Sequence, residues 1–235
     1  MTKLDFENVQ AMAGHSQKGQ HSYVKMVFDT IGTTNKYYVD IGAYDGITNS
    51  NVYDLKKRDN WYGLMIDNNL HNISLNLHQH SVTRDNICSL LTMYGVPSEP
   101  DFLCIDIDGM DYWILKEILN EFSPRVILME TNIRFSSEES TVLKYDSNYA
   151  WDGLNWYGCS PYAAKRLANE NGYTPVYLHH DDIFIIRDDL LSDEQKNTSW
   201  EEIYPGPDFA LYRGHVKPHH PNPILSPRLE DWEEV

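Results

Sequence analysis

A chain of 235 residues, 41% of them hydrophobic, has enough apolar material for one sizeable domain with appendages. Its formal net charge of −16 opposes a nucleic-acid partner, because phosphate binding needs a concentrated positive surface. No apolar run reaches the roughly 18 residues of a membrane span, so no membrane partner is expected.

The opening Met1-Thr-Lys-Leu-Asp-Phe-Glu7 lacks the basic-then-apolar order of a secretory signal. Cys88, Cys104 and Cys159 are scattered and offer neither a disulfide framework nor a zinc site, and together these features predict a cytoplasmic protein. Residues 1–20, rich in Gln, Gly, His and Ser, read as a loosely packed arm. Helical spacing runs from Tyr23 to Ile31 and stops at Gly32. Lys36–Ile41 is a short buried strand leading into a glycine-containing turn, and Ser50–Arg58 a helix. Gly63–Asp67, Asp101–Ile107 and Arg125–Glu130 are further strands. Helices fall at Asp85–Met93, with Thr83 as a candidate cap, and at Asp111–Glu121.

Residues 133–160 break this alternation and read as a substrate-covering insertion. Ser160 then caps a helix with Pro161 in its first turn and Gly172 at its end. Thr174–Leu178 and Asp182–Arg187 are late strands, separated by His179-His180-Asp181. The histidines read mainly as a loop, with one of them a candidate base. From Ser192 onward a stretch rich in Pro, His and acids, with His215, His219 and His220, reads as a tail that wraps the domain or is partly disordered. Short apolar runs alternating with helices predict an α/β fold, a mostly parallel sheet with helices on both faces.

The strongest local signal is Tyr38-Val-Asp-Ile-Gly-Ala-Tyr-Asp-Gly46, a buried strand entering a turn bracketed by Gly42 and Gly46. Tyr44 stands where a dinucleotide fingerprint needs its middle glycine, and no basic residue is near to suit a pyrophosphate. Asp40 is a poor neighbour for phosphate and a good one for an ammonium group, which favours the amino-acid end of S-adenosylmethionine over NAD. Asp67 closes the next strand, placed to accept hydrogen bonds from ribose hydroxyls. A tight turn with merely solvated acids is the plainer alternative.

Further segments share this order: Asn51, Trp61-Tyr-Gly-Leu-Met-Ile-Asp67, Asp101-Phe-Leu-Cys-Ile-Asp-Ile-Asp-Gly109, Pro124–Asn132 and Tyr157-Gly-Cys-Ser-Pro161. From about residue 18 to 190 the chain resembles FkbM-type class I methyltransferases, in a branch with an Ile-Asp-Ile-Asp-Gly-x-Asp-Tyr-Trp signature. The resemblance implies a Rossmann-like fold of seven strands over 21–191, with S-adenosyl-L-methionine at the strand carboxyl ends. Asp40, Gly42, Ala43, Tyr44, Asp45, Gly46 and Asn51 would hold the methionine end, Asp106 contributing, with Asp67 on the ribose and Asn86 or Ile87 near the adenine.

Asp106, Asp108 and Asp111 follow a strand, but a helix stands where an EF-hand would carry its closing glutamate. Asp106, Glu130 and Asn132 leave neighbouring strands at one edge and offer oxygen donors suited to Mg²⁺. This is similar to metal-dependent catechol-type O-methyltransferases. Alternatively Asp108 and Asp111 cap the next helix and Asp106 holds the bound methionine moiety or a backbone turn. Asp106, Asp108 and Glu130 are the expected catalytic residues, facing a small hydroxylated acceptor, sugar-like or phenolic. The aromatic segment 145–157 would stack on that acceptor or pack as a lid. A non-catalytic binding module and another nucleotide-using enzyme stay open as rivals.

Overall fold

A computed structural model describes residues 3–151, 153, 157–207 and 231–235. The tail histidines 215, 219 and 220, and residues 152 and 154–156 of the expected insertion, lie outside them. Helix α1 (Gln20–Ile31) precedes β1 (Tyr37–Ile41), followed by α2 (Tyr53–Asp59), β2 (Tyr62–Asp67), β3 (Leu77–Gln79) and α3 (Ile87–Met93). Next come β4 (Phe102–Ile105), α4 (Asp111–Glu121), β5 (Val126–Glu130), β6 (Thr141–Leu143), α5 (Pro161–Glu170), β7 (Tyr173–His179) and β8 (Asp182–Arg187). Short helices α6 (Asp193–Lys196) and α7 (Trp200–Ile203) and strand β9 (Trp232–Glu234) complete the described chain.

Seven strands form one sheet in the order β3-β2-β1-β4-β5-β8-β7, with β8 antiparallel to both neighbours and the other pairs parallel. That order, with a single reversed strand next to the edge, is the Rossmann-like class I methyltransferase fold. Its strands are apolar on both faces, so a layer of helices covers each. Val24, Val27 and Phe28 of α1 and Leu55 of α2 pack against Tyr38, Phe102, Leu128 and Phe184. Ile87 of α3, Ile114, Leu115 and Ile118 of α4, and Ala163, Ala164 and Leu167 of α5 pack against Val39, Ile105, Ile127 and Ile185. At the end of the sheet where β4 and β5 begin, Asp101 and Arg125 form a buried ion pair of 2.7 Å. Asp101 also accepts from the backbone of Thr34, Asn35 and Lys36, so its charge is fully hydrogen-bonded.

Local chemistry explains where the observed boundaries depart from the sequence reading. Ser50 accepts from the N–H groups of Val52 and Tyr53, making a turn of the residues expected to open α2. Thr83 is not the cap of α3; Asn86 precedes the helix and its side chain accepts from Thr83 N. The three-residue strand β3 is too short to show a period. Ser160 does cap α5, accepting from Ala163 N at 3.1 Å, and Gly172 follows the helix with φ +79°. Ser160 also accepts from Thr141 N and donates to Glu139 O. Ser160→Ala should therefore cost roughly 1–2 kcal/mol, seen as a lowered urea midpoint with unchanged slope.

Residues 3–19, expected to pack loosely, are instead bound into the domain. Leu4 is buried, and Phe6 stacks on Tyr177 with ring centroids 4.5 Å apart. His15 N donates to Asp54 at 2.7 Å, Ser16 bridges to Asn49, and Lys18 pairs with Asp181 at 2.5 Å. Residues 193–207 and 231–235 pack too, with Gln195, Trp200, Ile203 and Tyr204 buried and β9 paired with β6.

Candidate functional site

Alternation along the strands assembles the site. Tyr38, Phe102 and Cys104, Val126 and Leu128, and Phe184 and Ile186 belong to the core on the α1–α2 face. One alternation nearer the carboxyl edge of the parallel strands come Asp40 on β1, Asp106 just past β4, Glu130 on β5 and Asp182 at the start of the antiparallel β8. The register pairs Asp40 with Cys104, Cys104 with Leu128, and Glu130 directly with Asp182. Four carboxyl groups therefore share one face at the carboxyl edge of the parallel strands, where open α/β sheets bind ligands.

Two cavities open at this edge. One of 780 Å³ is bordered by Gly42, Asp67, Leu70, Ser81, Val82, Ile107 and the segment 145–151. The other, of 360 Å³, is bordered by Asp40, Asn51, Cys104, Glu130, Tyr157, Asp181 and Asp182, with Gln17 and Lys18 from the N-terminal arm. Gly42, Tyr44, Asp106, Asp108 and Trp151 line both, so the cavities meet there.

The expected residues divide. Asp40, Gly42, Ala43, Tyr44, Asn51, Asp67, Asp106, Asp108 and Glu130 all border a cavity. Asp45 does not: its Oδ1 accepts from Ile47 N and Thr48 N, tying down the turn. Gly46 does not either; a Cβ there would stand 2.9 Å from Met65 Sδ, so its role is packing. Ile87 is fully buried in the core and Asn86 holds Thr83 N and Ser81 O, while Ser81 and Val82 line the larger cavity. Asn132 is buried, its Oδ1 accepting from Arg134 N and its Nδ2 donating to Tyr157 O. Ligand atoms of Asp106, Asp108 and Glu130 lie within 4.8 Å of one another. Asp111 is structural, accepting from Ile107 N and Gly109 N at the start of α4.

Neither His179 nor His180 lines either of these two cavities. His179 packs on Tyr23, and its Nε2 lies 3.0 Å from Lys18 O. The residues missed were the two that follow, Asp181 and Asp182, together with Lys18 and Gln17 from an arm whose polar sequence gave no sign of a wall. The run of two acids before an apolar strand was the available signal.

Burial pushes the Asp40 carboxyl up to about 7, opposed by the Cys104 thiol that donates to it and reinforced by the Asp67 charge. Burial likewise lifts Asp106 and Glu130 well above the carboxylate range, and the neighbouring acids add to it. For a carboxyl raised in the folded state, the stabilising contribution is full below its unfolded value of 3.8 and is lost as pH rises through about 7. Each unit is worth about 1.4 kcal/mol, so ligand-free protein should lose on the order of a few kcal/mol over that window. Urea midpoints at mildly acidic and mildly alkaline pH would show it, with a flatter profile in Asp40→Asn; a flat wild-type profile would refute it.

No family model matches the sequence, and no curated protein matches it. Among solved structures, the chain is similar to an O-methyltransferase family protein from Burkholderia thailandensis, at 10% identity over 69% of this chain and 55% of that one, TM-score 0.39. It is similar to the MycE methyltransferase of the mycinamycin biosynthetic pathway, in complex with Mg and SAH, at 12% identity over 71% and 49%, TM-score 0.48. A third is the N-terminal domain of EvdMO1 with SAH bound, at 10% identity over 73% and 82%, TM-score 0.45. The chain thus spans about half the length of the first two. Among the described residues, no helix is long and apolar enough to cross a membrane.

Proposed function

We propose that the chain is an S-adenosylmethionine-dependent methyltransferase acting on an oxygen of a small hydroxylated acceptor. The observation that carries this reading is the meeting of two cavities at Gly42, Asp106 and Asp108, one bordered by Asp67 and the other by buried acids. The larger takes the adenosyl group, with the ribose at Asp67 and the adenine toward Ser81 and Val82. The methionine end points toward Asp40, whose burial favours an ammonium partner.

The bound cofactor supplies an electrophilic methyl group on a sulfonium. The chain's task is to hold the acceptor oxygen about 3 Å from that methyl, in line and away from water. Asp106 and Glu130 face the acceptor, and a carboxylate with raised proton affinity is a competent base for a hydroxyl proton. Calorimetry with S-adenosylhomocysteine on the intact chain should give micromolar-range binding; no heat of binding would sink the proposal. Binding without turnover on any acceptor would indicate a binding module.

A second reading places a hard divalent cation such as Mg²⁺ on Asp106, Asp108 and Glu130, favoured by their 4.8 Å grouping. Such an ion lowers the pKa of a coordinated hydroxyl. Turnover abolished by chelation and restored by Mg²⁺ would support it.

A further inference from the structure

The acids of the smaller cavity outnumber what a cofactor alone would meet. Asp40, Asp106, Asp108, Glu130, Asp181 and Asp182 line it, against Lys18 and Arg134, and Lys18 is paired with Asp181. Glu130, Asp181 and Asp182 border only this cavity. Glu130 and Asp182 are direct cross-strand partners, an arrangement that destabilises a sheet when both are charged.

Two further atoms point to a donor. Asn51 is 7% exposed, lines this cavity, and its Oδ1 has no hydrogen-bond partner. Glu130 Oε2 is cut off from solvent and also has none. Buried acceptors left unsatisfied cost free energy, and a protonated primary amine brings three N–H donors with its charge. A metal ion on the Asp106–Asp108–Glu130 group would leave the Asn51 amide oxygen unanswered.

Aromatic faces complete the lining. Tyr44 and Trp151, 58% and 45% exposed, stand on the rim common to both cavities. Trp151 meets the buried Tyr157 edge to face at 6.0 Å, and the Arg134 guanidinium lies 5.7 Å from the Tyr157 ring. Ring faces attract cations, including ligand ammonium groups. Tyr44 sits at φ +48°, a left-handed conformation that disfavours a residue with a Cβ. Asp67 holds it there by accepting from Tyr44 N at 3.0 Å, and strain of this kind concentrates at ligand sites.

Resting on the methyltransferase reading above, we infer that the acceptor is a hydroxylated amine. Its protonated nitrogen lies among the carboxylates, Asn51 and the aromatic rings of the smaller cavity, and its hydroxyl is directed to the rim shared with the cofactor.

The test uses the full chain saturated with S-adenosylhomocysteine and calorimetric titration of two matched pairs, tyramine against para-ethylphenol and glucosamine against glucose. In at least one pair the amine should bind about tenfold or more tightly than its neutral partner. That preference should shrink in Glu130→Gln and in Trp151→Leu, each checked for retained S-adenosylhomocysteine binding and an unchanged melt. Equal affinity within both pairs, or no binding by either amine to cofactor-loaded protein, would overturn the inference. So would Mg²⁺ binding that abolishes the amine preference, which would give the acids to a metal. Failure of S-adenosylhomocysteine itself to bind would fell the methyltransferase reading first, so the two failures are separable.

Discussion

Gly42→Ala should yield a chain that no longer reaches a stable native state. Gly42 has φ +90°, and a Cβ built there would lie 1.6 Å from the carbonyl oxygen of Asp106. Backbone rather than a yielding side chain blocks it. Neither partner can retreat cheaply: Asp106 N donates to Ile41 O, while Gly42 N and Ala43 N both donate to Ile66 O. Relief requires parting β1 from β4 at the centre of the sheet. The cost is roughly 4 kcal/mol or more, set against a total stability of about 5–15 kcal/mol for a domain. Gly46→Ala is the control, because Gly46 also has positive φ but its obstacle is the flexible Met65 side chain at 2.9 Å. Circular dichroism with urea titration should show Gly46→Ala folded and weakened and Gly42→Ala without a cooperative transition. A wild-type midpoint in Gly42→Ala would refute the assignment.

Asp67→Ala should weaken S-adenosylhomocysteine binding by about 100-fold, the loss of two charge-assisted hydrogen bonds' worth of interaction. Part of that loss is direct, from the ribose hydroxyl. The rest comes from the loop, because Asp67 Oδ1 accepts from Asn69 N and Leu70 N, and Oδ2 from Tyr44 N. Those three bonds leave about one of the roughly four acceptor positions of a carboxylate for ligand. Asp67→Asn, which replaces one acceptor oxygen with a donor, should fall between. Calorimetry on all three proteins decides it; an unchanged affinity in Asp67→Ala would place the ribose elsewhere.

Most of the sheet could be read from the sequence because its strands are continuous apolar runs ending at acids. Lys36–Ile41, Arg125–Glu130 and Asp182–Arg187 needed only trimming or nothing. The carboxyl-edge placement of Asp40, Asp106 and Glu130 followed from the same pattern. What stayed hidden was local hydrogen bonding that diverts a residue from its expected task. Asp45 is spent on the backbone of its own turn, and Asn86 on Thr83 and Ser81. Asp182 was hidden for another reason. It joins the site only through the antiparallel pairing of β5 with β8, a contact between residues 52 positions apart that no periodicity reveals.

The N-terminal arm reaches the β7–β8 turn across the longest sequence separations at the site. Lys18 meets Asp181 over 163 positions, and Gln20 meets Asp182 over 162. On the other side His15 and Ser16 hold Asp54 and Asn49. The earliest-made stretch of the described chain therefore cannot take its final position until β7 and β8 exist. Closing so long a loop is a late, entropically costly event in folding. The sheet and the larger cavity depend on nearer contacts and can form without it. The smaller cavity is the last part of the site to be finished, and it is finished by the chain's two halves finding each other.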